Sequence, residues 1–266
     1  MFDKNKLPKK ISERVNGLEW EYDKVGMSNS TILLYDDMVL KIEKISRSST
    51  NEKILLEWLG SKLPVPEIIE HEIHDGYSFL LMSKMPGEMA CSDENMHRLD
   101  KTVRALANGL RLIWQIDISN CPCSNVVSEK LKQAQDTIKN NLVNVEDFEP
   151  ETFGPDGFES VSHLYSYLDQ NRPKEDLVFS HGDFCLPNVF VAGCEITGFI
   201  DWGNGGIADR WQDIALCARS LKHNCMEYGL CGEAEYQVYE RLLFSELGIE
   251  PCEEKMRYYI LLDELF

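Results

Sequence analysis

Two short segments constrain this chain more than anything else in it: Ser180-His181-Gly182-Asp183-Phe184-Cys185-Leu186-Pro187-Asn188 and Gly198-Phe199-Ile200-Asp201-Trp202-Gly203. An Asp, an Asn five residues later and a second Asp thirteen beyond that, all in apolar strand-like surroundings, ask the fold to bring three oxygen-bearing side chains together. The residue types suggest why. A carboxylate near a hydroxyl can take its proton, while an amide oxygen and another carboxylate can hold a divalent cation that bridges nucleotide phosphates. A lone His-Gly-Asp is weak evidence; the whole constellation points to phosphoryl transfer onto a small hydroxylated molecule. Asp183 is the candidate base, Asn188 and Asp201 are the candidate magnesium ligands, and His181 is expected to brace the backbone.

Composition narrows the partners. The formal net charge of −18 argues against nucleic acid, whose phosphates would be repelled, and permits a polycation that an acidic cleft would attract. On charge alone, solubility is the simpler account. No apolar run approaches a membrane span, and Met1-Phe2-Asp3-Lys4-Asn5-Lys6 lacks the apolar core of a signal peptide, so a cytoplasmic protein without membrane contact is expected. Nine cysteines, an odd number with Cys121-Pro122-Cys123 as the closest pair, read as free and mostly buried thiols.

The first ninety residues read as β-rich. Thr31–Tyr35 and Met38–Ile42 flank Asp36-Asp37 as a hairpin. Ser49 or Thr50 can cap a helix from about Asn51 to Ser61, and Leu63-Pro64-Val65-Pro66 ends it. Strands over Ile68–Ile73 and Tyr77–Met82 sit either side of His74-Asp75-Gly76. After a connection at Ser83–Gly87, helical spacing takes over: Leu99, Val103, Leu106, Leu110 and Ile113 form one stripe. Further helices are predicted over Glu129–Leu142, Trp211–Lys222, Glu233–Leu247 and Glu253–Leu265, with an acidic loop or short helices between Val145 and Glu159. The expectation is an α+β, bilobal protein-kinase-like fold: residues 1–85 as a nucleotide-binding lobe, and residues 86–266 as a mostly helical lobe with the catalytic and acceptor sites.

Lys41, within the apolar strand Val39-Leu40-Lys41-Ile42, is costly to bury unless paired. Glu52 on the following helix is a natural partner, and the pair would aim the ammonium at the α- and β-phosphates of ATP. Ser28, in Gly26-Met27-Ser28-Asn29-Ser30, is a weaker candidate for touching phosphate, and Ser83 and Met85 in the connection are candidates for touching the nucleotide. Asp213 is expected to hold the catalytic loop's backbone, and Asp209 to do something similar.

Together these residues resemble the aminoglycoside phosphotransferases, specifically the 3′-phosphotransferases that inactivate kanamycin and neomycin. The resemblance rests on Ser180–Asn188, on Gly198–Asp201 with Ala208-Asp209-Arg210-Trp211-Gln212-Asp213-Ile214-Ala215, and on Tyr258-Tyr259-Ile260-Leu261-Leu262-Asp263-Glu264-Leu265-Phe266. It implies ATP as donor, magnesium as cofactor and an aminoglycoside acceptor. It also implies that Glu264 and the Phe266 carboxylate meet substrate ammonium groups, and that the acidic loop with Glu146, Asp147, Glu149 and Glu151 matches the antibiotic-binding loop. Glu149 and Glu151 are therefore substrate-binding candidates. A monomer or weak dimer is expected. The chain departs from the family at Gly203-Asn204, where Gly-Arg is typical, at His223-Asn224, where close relatives carry an acidic pair, and at Val39, which replaces an aromatic that stacks on adenine in some members. A kinase for choline or homoserine, or a non-catalytic nucleotide binder, is the alternative.

Overall fold

The computed structural model describes residues 7–23, 30–155, 157–227 and 229–266. Helix α1 (Lys9–Arg14) leads into strands β1 (Glu21–Tyr22), β2 (Thr31–Leu34) and β3 (Met38–Lys44). Helix α2 (Arg47–Leu59) follows, then β4 (Ile68–His74) and β5 (Tyr77–Ser83). The strands form one antiparallel sheet in the order β1-β2-β3-β5-β4. Asp36-Asp37 turns β2 into β3, and the β4–β5 turn uses positive φ at both Asp75 (49°) and Gly76 (79°), which matches the right-handed twist of a tight hairpin.

The alternation of β3 and β5 divides the sheet into two faces. Leu40, Ile42, Phe79 and Leu81 pack with Ile11, Leu33 and Tyr35 on one side. Leu80 and Met82 join Leu55, Leu56 and Leu59 of α2 on the other. Lys41 pairs in register with Leu80, so strand geometry turns it towards α2. That helix starts earlier than the sequence reading placed it. Ser46 is the cap: its hydroxyl accepts from Ser49 N at 3.0 Å while the Ser49 hydroxyl takes Ser46 N at 2.9 Å. Several hydroxyls in the run Ser46–Thr50 can cap a helix, and the one with a reciprocal partner three residues on prevails.

The rest of the chain is largely helical: β6 (Glu88–Met89), α3 (Asp93–Met96), α4 (Leu99–Trp114), α5 (Val127–Lys139) and α6 (Val161–Gln170). Then come β7 (Leu177–Ser180), β8 (Val189–Ala192), β9 (Glu195–Phe199), β10 (Gly206–Asp209), α7 (Arg210–Glu227), α8 (Glu233–Leu247) and α9 (Glu253–Asp263). The α4 stripe is buried as its spacing requires, and the core continues through α7, α8 and α9. Helix α6 was not anticipated. Ser160 caps it through His163 N, and it buries Leu164 and Leu168 one turn apart. The nine cysteines are free, with Cys91, Cys123, Cys217, Cys225 and Cys231 buried. Among the described residues no helix is long and apolar enough to cross a membrane.

Candidate active site

Strand β7 pairs antiparallel with β10 and delivers the chain, buried, to Ser180. The turn that follows requires glycine at 182: φ is +82°, and a Cβ there would lie 1.7 Å from Asn204 O. Asp213, in the first turn of α7 and fully buried, accepts His181 N at 2.8 Å and Gly182 N at 2.9 Å, the holding role expected of it. Gln212 donates to Gly182 O at 2.9 Å. His181 is buried, lies 3.0 Å from Ile200 O through Nε2 and packs its ring on Trp202, so it ties this loop to the segment bearing Asp201.

Asp183 is half-buried at the end of this scaffold. Asn188 Nδ2 donates to its Oδ2 and to its carbonyl oxygen, both at 3.0 Å. Burial pushes the Asp183 carboxyl up, the Cys185 thiol and the Asn188 amide pull it back, and the charges of Asp263 and Asp201 add to the upward push.

Strands β8 and β9 place Asn188 and Asp201 side by side, with Ile200 N donating to Asn188 O at 3.0 Å. Asp201 adopts a left-handed conformation (φ 62°, ψ 62°), uncommon outside glycine but tolerated by Asp. The turn after it is clamped by Asn125, whose Nδ2 donates to Asn204 O at 2.8 Å and Gly205 O at 3.0 Å. Lys41 Nζ lies 2.7 Å from Glu52 Oε2 and 2.9 Å from Asp201 Oδ1, joining sheet, helix α2 and the β9 end. Burial alone would push this ammonium down; Glu52, Asp201 and Glu43 together hold it up. Glu52 is pushed up by burial and pulled back by Lys41.

The donor set suits a small hard cation. The Asn188 nitrogen is committed to Asp183, which turns its amide oxygen the other way. Asp201 gives one oxygen to Lys41 and keeps a second, with its side chain 38% exposed. Two oxygen donors, with the remaining positions left for phosphate and water, are what magnesium usually takes from a protein. Among the described residues no group of three or more His, Cys, Asp or Glu forms a metal cage.

The other predicted positions are more dispersed. Glu264 is tied to the acidic loop, accepting from Glu149 N at 2.8 Å and from Thr152 Oγ1 at 2.9 Å. Phe266 is exposed, and Lys130 Nζ lies 5.0 Å from its ring centre. Glu149 and Glu151 line a cavity of about 630 Å³ together with Glu240, Glu253, Phe244 and Ile260, and this lining includes none of Lys41, Asp183, Asn188 or Asp201. Ser83 is engaged with Glu67, through Oγ and through its own N–H, both at 2.9 Å. Met85 packs over Gly198. Ser28, with the Gly26–Asn29 part of its loop, and the Asp147 side chain lie outside the described residues.

One expectation is corrected: Asp209 does not hold the catalytic loop but accepts from Lys255 Nζ at 2.8 Å and Tyr259 OH at 2.9 Å, fastening α9. Asn204 is exposed, and Asn224 is turned inward onto Ser220 O at 2.8 Å. Sequence reasoning assigned no role to Asp263, Arg219 or Lys130. Asp263 pairs with Arg219 at 2.5 Å and its charge reaches Asp183. Its place directly before Glu264 in the terminal motif was the available signal.

Known proteins resemble this chain over most of its length. The model of the phosphotransferase enzyme family matches residues 19–246. An aminoglycoside 3′-phosphotransferase of Enterococcus faecalis is 41% identical over 219 residues, covering 81% of this chain and 78% of that protein. The crystal structure of an aminoglycoside 3′-phosphotransferase of type VIII superposes with a TM-score of 0.80 at 30% identity, covering 97% of both chains. An aminoglycoside phosphotransferase from Streptomyces rimosus, solved with ADP and streptomycin, shares the fold with a TM-score of 0.78 at 21% identity, covering 96% of this chain and 95% of that one.

Proposed function

Because the chain belongs to the phosphotransferase enzyme family, and within it to the aminoglycoside 3′-phosphotransferases, we propose that it is an aminoglycoside O-phosphotransferase that uses ATP and confers resistance to the antibiotics it modifies. The observation that carries this reading is the joint arrangement of Lys41, Glu52 and Asp201 beside the Asp183–Asn188 pair. It contains both parts that phosphoryl transfer needs, a cation for the donor's phosphates and a carboxylate for the acceptor's hydroxyl.

Asp183 accepts the proton of the acceptor hydroxyl as its oxygen bonds to the γ-phosphorus. The bond from that phosphorus to the bridging oxygen breaks, and ADP leaves with the electron pair. Lys41, oriented by Glu52, faces the α- and β-phosphates. Asn188 and Asp201 would hold magnesium, which when bound neutralises phosphate charge. His181, Asp213 and Gln212 keep the loop in position through the transfer.

Residues 1–85 serve the nucleotide, with Ser83 and Met85 near it, and residues 86–266 serve the acceptor. Glu264, Phe266, Glu149 and Glu151 contact the aminoglycoside, the glutamates meeting its ammonium groups, supported by a charge of −18 that draws polycations in. The 3′-hydroxyl is the acceptor, and the protein works in the cytoplasm as a monomer or weak dimer. Incubation with ATP, magnesium and kanamycin, followed by NMR of the product, tests this. Phosphate on the 3′-oxygen is expected; phosphate at another position, or unmodified drug, refutes it.

A further inference from the structure

Helix α5 carries a buried lysine that the mechanism leaves unused. Lys130 is 6% exposed, and among the described residues its side chain makes no hydrogen bond and no ion pair. Its ammonium lies 5.0 Å from the centre of the Phe266 ring. The charges acting on it are, in order, those of Asp263, Asp183 and Asp213, with Arg47 opposing. Burial pushes this ammonium down, and the three carboxylates offset only part of that. Among the described residues, the sealed side-chain polar atoms without a hydrogen bond are Ser92 Oγ, Trp114 Nε1, Gln212 Oε1 and Arg210 Nε, the last of which is ion-paired with Asp176 at 2.7 Å. Lys130 Nζ is not one of them, so its stem is covered while its tip is not completely sealed.

That position is chemically unusual. Lys130 stands beside Phe266 and within electrostatic reach of Asp263 and Asp183, in a region otherwise expected to attract cations. Arg219 is already paired with Asp263 at 2.5 Å. An ammonium without a partner in a cleft costs stability unless a ligand or water satisfies it, and it repels a like charge brought beside it.

We propose that Lys130 is a specificity-determining residue of the acceptor cleft, donating to a sugar oxygen beside the reacting hydroxyl and disfavouring an ammonium at that place. The inference rests on the aminoglycoside reading above and deepens it. It names which neighbour of the acceptor hydroxyl the cleft prefers: a hydroxyl rather than an amine.

Kanamycin A and kanamycin B differ in that respect, with a hydroxyl in the first and an amine in the second on carbon 2′, next to the 3′-hydroxyl. The wild-type protein is expected to favour kanamycin A in kcat/KM by about tenfold, the order that two like charges exchange in a partly shielded cleft. Lys130→Met levels the two, and Lys130→Arg keeps the preference. If Lys130 only supported Phe266, its loss would affect both drugs alike and the ratio would stay. Replacing an unpaired buried ammonium by an apolar chain of similar length should leave thermal stability equal or higher. Should Lys130→Met nevertheless fail to fold, Lys130→Gln provides the same comparison.

An unchanged ratio in the uncharged variant overturns the proposal. So does a wild-type ratio near one, or loss of the preference in Lys130→Arg. A wild-type protein inactive on both kanamycins sinks the aminoglycoside reading and this inference with it, an outcome distinct from an unchanged ratio in an active enzyme.

Discussion

Replacing Asp213 by Asn probes what holds the catalytic loop. The carboxylate is fully buried, and each oxygen accepts one backbone N–H, His181 at 2.8 Å and Gly182 at 2.9 Å. Asn keeps the shape and one acceptor oxygen, but its amide nitrogen then faces an N–H from which it cannot accept. Losing a hydrogen bond to a charged group costs about 1.5–3 kcal/mol, and a buried donor left unsatisfied about 1–3 kcal/mol. Against this, burial pushes the Asp213 carboxyl up, so removing its charge returns part of the loss. A net destabilisation of about 2–3 kcal/mol is expected, a large share of the roughly 5–15 kcal/mol that holds a domain together. Urea unfolding followed by tryptophan fluorescence measures it. Because the same loop presents Asp183, kcat should fall while calorimetric ATP affinity changes little. A change below about 0.5 kcal/mol, the ordinary range of surface substitutions, together with full turnover would refute this account of the loop.

Glu52→Gln leaves Lys41 with Asp201 as its close partner and should raise the KM for ATP by about tenfold, the cost of one charge-assisted hydrogen bond; an unchanged KM would detach α2 from nucleotide binding. Asp201→Ala should abolish the magnesium dependence of ATP binding in calorimetric titrations, and a retained dependence would show that the β9 end has been misread. Glu264→Gln weakens the carboxylate that receives Glu149 N and Thr152 Oγ1, so limited proteolysis within residues 149–159 should quicken and aminoglycoside KM should rise more than kcat falls. Equal cleavage rates and an unchanged KM would contradict that. Aminoglycoside KM should also rise with salt while ATP affinity moves less, since screening limits exposed charges to about 8 Å at physiological ionic strength; a flat KM would return the acidic surface to solubility alone.

The parts of the candidate site that are legible in the sequence are those written locally. Asp183, Asn188 and Asp201 sit at spacings set by a loop and two strands, and Lys41 announced itself as a charge inside an apolar run. Its pairing with Glu52 followed because helix α2 lies directly after that strand. The hairpins and the α4 stripe were equally legible, since periods of two and 3.6 residues reflect backbone geometry. What escaped detection depends on contacts between distant elements. Asp209 shares its motif with Asp213, yet its partner is α9, some fifty residues on. Nothing near Lys130 in sequence tells that α5 would bury it beside Phe266. Helix α6 was hidden for another reason: it begins immediately after a Pro- and Gly-punctuated acidic stretch, where loop signals overrode the Leu164–Leu168 spacing.

The most direct test is ADP release by the wild-type protein and by Asp183→Ala, with ATP and magnesium, against kanamycin, choline and homoserine in parallel. ADP production is expected with kanamycin and only at background with the other two. The variant, folded and binding ATP normally, should be slower by about 10²–10⁴-fold, the contribution of one positioned general base. Turnover of choline or homoserine in preference to kanamycin, or near-normal turnover by a folded Asp183→Ala protein, would contradict the central claim.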